Sequence, residues 1–141
     1  NPQDVTCFNF GIGADVSAEL LLLDHKCHIN TVNEGNKPKD ESRFLNIRME
    51  LAQRMRDWLV RGGALVGDEL KRDVVGYAYK NNIRGLKQLM PKHDLRERIG
   101  RSPDRGDALM ATFATDYSLD IHSNENLEVA QPTRSDPYSA I

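Results

Sequence analysis

Gly11 and Gly13 stand between an apolar run and an amphipathic one, and that junction restricts how the first third of the chain can fold. Val5-Thr6-Cys7-Phe8-Asn9-Phe10 is rich in β-branched and aromatic residues and reads as a short buried strand. The glycines then permit a tight turn. Val16, Leu20 and Leu23 fall on one stripe of a helix expected over about residues 14–23, and Lys26 to Val32 reads as a second strand. Strand, helix and strand of this length form a βαβ unit, whose two strands run parallel. The chain is therefore expected to be α/β.

Residues 33–41 are polar, contain Gly35 and Pro38, and read as a loop. Asp40 or Ser42 is expected to cap the next helix, which runs to about Arg61 and buries Phe44, Ile47, Leu51, Met55 and Trp58 at helical spacing. Trp58 is read as core rather than as a platform for a nucleobase. Gly62-Gly63 ends the helix. Beyond it, 68–73 reads as a helical turn, 74–80 and 84–90 as two strands turning at Asn81-Asn82, and 92–99 as a short helix. A last helix from Asp104 to about Thr115 offers Leu109, Met110 and Phe113 to the core. From Asp116 onward there are two prolines and five acids against one arginine, which predicts a polar, mobile tail. Residues 1–115 thus read as one domain and 116–141 as its tail.

The formal net charge of −2 conceals an uneven distribution. Residues 71–105 hold ten Lys/Arg against the four acids Asp73, Asp94, Glu97 and Asp104, an excess suited either to a phosphate-facing patch or to a solvated surface. Cys7 and Cys27 lie in expected strands without CxxC spacing and read as free thiols. His25 and Cys27 share strand parity, but further zinc ligands are not evident. The apolar run Leu20–Leu23 ends at Asp24, too short for a membrane span, and no secretory start is seen.

The segment Gly100-Arg101-Ser102-Pro103-Asp104-Arg105-Gly106-Asp107-Ala108-Leu109 carries the strongest chemical signal. Ser102 suits an N-cap and Pro103 the first helical position. Asp104 and Asp107 then lie three apart on one face, with small neighbours Gly106 and Ala108. Acids in a first turn favour the helix dipole. A carboxylate pair there also suits metal-assisted phosphodiester chemistry. At the other end of the domain, the Gly11–Asp15 turn reads either as a tight strand-to-helix connection or as a phosphate cradle, although Asp15 opposes an anion.

The run RIGRSPDRGDALMATFA resembles the closing helix of the nuclease domain in large terminase subunits of tailed bacteriophages. Three further segments match in order: Phe10-Gly11-Ile12-Gly13-Ala14-Asp15-Val16 resembles the family's GIGAGV turn, Val32-Asn33-Glu34-Gly35 a strand end, and Asn46-Ile47-Arg48-Met49-Glu50 with Trp58 its N-x-R-x-E helix. The resemblance covers residues 2 to about 115. It implies a ribonuclease-H-like mixed sheet flanked by helices, with three acids holding Mg2+ or Mn2+ at one end of the sheet. Asp107 matches the last of these acids, and Asp104 occupies an auxiliary position. The strand acid falls at Phe8, where no carboxylate stands, and Asn9 has the opposite strand parity. The first acid belongs to an opening hairpin that would precede residue 1, so two of the three acidic positions are missing. Asp4, Asp15 and Asp68 are possible substitutes that spacing does not separate. No G-x-x-x-x-G-K-[ST] motif is present.

By resemblance, the function is that of a metal-dependent endonuclease cutting concatemeric viral DNA in the host cytoplasm, with poor or no activity in this chain alone. The partners implied are double-stranded DNA, the terminase small subunit and the portal. Lys80, Arg84, Lys87 and Arg105 are the candidate phosphate contacts, and His93 lies among them. Loss of the opening hairpin would expose a sheet edge and favour a homodimer. The alternatives are a non-catalytic DNA-binding or motor-assembly module, and an unrelated small nucleotide-binding α/β domain.

Overall fold

The computed structural model describes residues 4–9, 12–23 and 28–117. Strand β1 (Asp4–Phe8), helix α1 (Ile12–Leu22) and strand β2 (His28–Val32) form the expected βαβ unit. The strands are parallel, in a register that pairs Asp4 with His28 and Phe8 with Val32. One bond beyond the ladder, the Asn9 N–H donates to the Val32 carbonyl at 2.8 Å. Parallel pairing brings the C-terminal ends of both strands to one edge of the domain. His25 and Cys27 lie outside the described residues, as do Phe10 and Gly11 of the glycine turn. Cys7 is a free thiol, and burial raises its pKa.

Helix α2 (Ile47–Val60) is the centre of the core. Ile47, Met49, Leu51 and Met55 are buried from it against Val32, Phe44, Leu89, Met110 and Ala114. Its N-cap is Asn46, whose Oδ1 accepts the Met49 N–H at 3.0 Å; the expected caps Asp40 and Ser42 instead bond each other in the preceding turn. Phe44 has the spacing of a helical core residue but lies in a bridge to Lys87, so tertiary pairing starts the helix three residues later. Trp58, expected in the core, is only half-buried and packs on Phe113 at the core's margin, with ring centroids 5.8 Å apart.

Helix α3 (Asp68–Gly76) is longer than expected and absorbs Val74 and Val75, leaving only β3 (Tyr79–Asn81) and β4 (Lys87–Leu89) as an antiparallel hairpin. Two contacts between α3 and helix α5 (Asp104–Ala111), described below, override the strand preference of those valines. Helix α4 (Lys92–Ile99) has its expected limits, and Gly100 ends it in the left-handed region with φ of 78°. A 3-10 segment, Thr112–Tyr117, follows α5 in place of its expected last turn. The tail from residue 118 onward lies outside the described residues. Among the described residues no helix is long and apolar enough to cross a membrane. The two two-stranded sheets do not by themselves display the mixed sheet expected from the resemblance.

Candidate functional site

Helix α5 begins without a cap of its own. Pro103 stands at the cap position, and Ser102, expected to cap, donates its hydroxyl to Asp104 Oδ1 at 2.6 Å. The orphan N–H groups of a first turn need partners. One comes from α3: Asp73, wholly buried, accepts the Gly106 N–H on Oδ2 at 3.1 Å and holds Arg101 Nη2 at 2.6 Å on Oδ1. A Cβ on Gly106 would stand 2.9 Å from Asp73 Cβ and 3.0 Å from the Tyr77 ring. Glycine is therefore what lets α3 approach closely enough for Asp73 to act as a cap.

One turn after Asp73, Tyr77 donates its hydroxyl to Asp107 Oδ1 at 2.6 Å. Its pKa is driven far above the ordinary phenol value, first by burial, then by the charge of Asp107 and by the bond itself. The other Asp107 oxygen faces Lys92 Nζ at 3.3 Å. That ammonium also contacts Glu34 Oε1, at 2.7 Å, and lies 5.9 Å from the centre of the Phe8 ring. Arg48, buried on α2, completes the cluster: Nε is 3.5 Å from Glu34 Oε2 and Nη2 4.0 Å from Asp107 Oδ1, while Nη1 donates to the Met90 carbonyl at 3.1 Å. Nε and Nη2 make no hydrogen bond with the described residues.

The N-x-R-x-E segment of α2 thus has three separate tasks. Asn46 caps the helix and Arg48 enters the cluster. Glu50 points to the other side, where Oε2 accepts the Lys39 N–H at 2.7 Å and Oε1 pairs with Arg54 at 3.1 Å. Glu50 therefore fastens the loop that follows Glu34 to α2.

Glu34 lies just past β2, beside the end of β1 where Phe8 stands in place of an acid. Of the sequence candidates, Asp107 is in the cluster and Asp104 is exposed outside it, bonded to Ser102. Asp15 is exposed on α1, and Asp68 faces Lys71 at 3.6 Å. Among the proposed phosphate contacts, Lys80 and Arg84 are exposed, and neither is paired with a carboxylate among the described residues. Lys87 donates to Gln53 Oε1 at 3.0 Å and lies over the Tyr79 ring. Arg105 pairs with Glu69 at 2.6 Å, and His93 with Asp94 at 3.3 Å. Glu34 and Arg48 enter the sequence reading only as members of the Val32–Gly35 and Asn46–Glu50 segments and Lys92 only within the basic stretch, none with a role of its own, and Tyr77 does not enter it by name. The two visible signals were a charged Arg48 flanked by the buried Ile47 and Met49, and Glu34 at a strand end.

The cluster holds two carboxylates and two cations, which balance. Divalent ions of the Mg2+ or Mn2+ type need several oxygen ligands. No group of three His, Cys, Asp or Glu side chains able to hold a metal occurs among the described residues. Lys92 already bridges the two carboxylates that are present. The described residues therefore do not fit the three-acid centre implied by the resemblance. They make a half-buried polar floor with unfilled Arg48 donors.

No protein-family model and no curated protein matches the sequence. Solved structures do match. The chain is similar to the nuclease domain of the large terminase subunit gp2 of bacterial virus Sf6, with a TM-score of 0.64 at 18% identity over 79% of this chain and 64% of that domain. A point variant of that domain with manganese matches with a TM-score of 0.64 at 17% identity, covering 79% of this chain and 66% of that one. The variant with calcium matches at 0.65 and 18%, covering 79% and 65%. The chain has the fold of these nuclease domains and spans somewhat less than two thirds of the first of them.

Proposed function

We propose that this chain is the C-terminal part of a terminase-type nuclease domain, and that it engages double-stranded viral DNA as part of a packaging motor. The observation that carries this reading is the meeting of Asp107, from the start of the last helix, with Glu34, from beyond the second parallel strand, under the exposed basic hairpin. The fold likeness to terminase nuclease domains supports it over an unrelated nucleotide-binding domain.

The same cluster supports binding better than cutting. Its carboxylates are engaged by Lys92, Arg48 and Tyr77, and the acid expected at the end of β1 is replaced by Phe8. Lys92, about one third exposed, is the charge that a phosphate at the cluster meets first. Arg48 supplies unsatisfied N–H groups behind it.

A binding titration and a plasmid nicking assay test the reading together. The expected result is salt-sensitive retention of duplex DNA, with supercoiled plasmid left intact in manganese. Failure to bind duplex at low salt would overturn the reading. Manganese-dependent nicking that disappears in Asp107→Ala would overturn the non-cutting part and make the cluster catalytic.

A further inference from the structure

The β3–β4 hairpin has both of its feet in the cluster. Tyr77 precedes β3 and Lys92 follows β4, and the Met90 N–H donates to the Ala78 carbonyl at 2.8 Å just above them. The lower part is fixed to the body. Lys87 donates its N–H to the Arg43 carbonyl at 2.8 Å and accepts the Leu45 N–H at 3.0 Å, while Leu89 is buried in the core. The upper part is free, and its turn is internally held. Asn82 Oδ1 accepts the N–H groups of Arg84 at 2.8 Å and Leu86 at 3.0 Å, and Gly85 takes the left-handed conformation that closes the loop, with φ of 76°.

This rigid turn presents Ile83 fully to solvent. A β-branched apolar side chain at the most exposed point of an ordered loop has no role in the core. On either side of it stand Lys80 and Arg84, exposed and without a carboxylate partner among the described residues. Lys80 pairs across the ladder with Gln88, on the face opposite to Leu89. From Val74 to His93 the chain has no Asp or Glu at all, in a protein of which 28% is charged. That stretch is built for a polyanion.

Resting on the proposed function, the geometry points to the β3–β4 hairpin as an arm that enters a groove of duplex DNA. Lys80 and Arg84 contact phosphates, and Ile83 contacts base edges. Tyr77 and Ile83 are six positions apart, which gives the arm a reach of roughly 20 Å from the carboxylate cluster. A two-stranded ribbon is admitted by a major groove about 12 Å wide. Ile83 offers no hydrogen bond, so its contact tolerates many sequences and favours thymine methyl groups only weakly.

The test is fluorescence anisotropy of the full chain with a labelled duplex of about 30 base pairs across a salt series. Replacing Lys80→Gln together with Arg84→Gln is expected to flatten the slope of log affinity against log salt by about 2, one phosphate contact each. Ile83→Ser is expected to weaken binding about fivefold with the slope unchanged, because no charge is removed. Both changes lie on exposed positions, and circular dichroism checks that the fold is intact. If the wild-type chain binds duplex and these variants match it, the arm is overturned and the proposed function stands. If the wild-type chain binds no duplex, both fall. Equal binding of single strands by the wild-type chain would overturn groove entry.

Discussion

Asp73 and Asp107, one buried and one half-buried, are carboxylates on neighbouring helices, and they are finished in different ways. Asp73 is wholly enclosed, with one oxygen on the Gly106 N–H and the other against Arg101. Each oxygen has a single partner, although Oδ1, like the Arg48 donors, makes its ion pair without a hydrogen bond. Asp107 shares two cations with Glu34 and accepts a phenol hydroxyl of its own, and the arginine behind it has two N–H groups without hydrogen bonds. Burying polar groups without their bonds is costly, and both surroundings carry that cost, at Asp73 Oδ1 on one side and at two Arg48 N–H groups on the other. The difference lies in access: Asp73 is sealed from solvent, whereas Asp107 and Lys92 stay partly open to it.

The largest expected effect would break the comparison on the scaffold side. Asp73→Ala leaves the Gly106 N–H buried without an acceptor and removes the ion pair to Arg101, at a cost of about 3 kcal/mol in urea unfolding. A loss below about 1 kcal/mol would show that α5 does not depend on its borrowed cap.

A smaller and pH-dependent effect belongs to Tyr77. Its folded pKa is raised, so the folded state keeps a proton that the unfolded chain releases above about pH 10. This contribution is fully present below that pH and is lost as the pH climbs toward the folded value. Stability measured by urea should therefore fall with increasing pH above about 10, and Tyr77→Phe should flatten that fall. An unchanged profile would remove the Tyr77–Asp107 bond from the description of the cluster.

The smallest effect concerns the other carboxylate of the same helix. Asp104→Asn should change stability by no more than about 0.5 kcal/mol and leave duplex binding as it was, because Asp104 bonds only Ser102 at the surface. A measurable loss of duplex binding would place Asp104 in the site after all.

The parts of this molecule that follow chain periodicity are readable in the sequence. The parallel pairing of β1 with β2 and the limits of α4 follow from apolar spacing, glycine and proline. Phe44 misled because a bridge to Lys87 and a helical face leave the same spacing in one strand of text. Val74 and Val75 misled because the approach of Asp73 and Tyr77 to Gly106 outweighs the strand preference of a β-branched pair. Asp107 stood out through its helix start. Glu34, Arg48 and Lys92 did not, since a charge at a strand end, a charge within an apolar helix and a charge in a basic run look ordinary until folding brings them together.

The double footing of the hairpin makes it a lever as well as a finger. The bonds at its base, 2.6 Å from Tyr77 to Asp107 and 2.7 Å from Lys92 to Glu34, tolerate little stretching before they fail. Whatever displacement of the tip the Lys87 and Leu89 anchors do not absorb reaches both acids together, so hairpin and cluster are not repositioned independently.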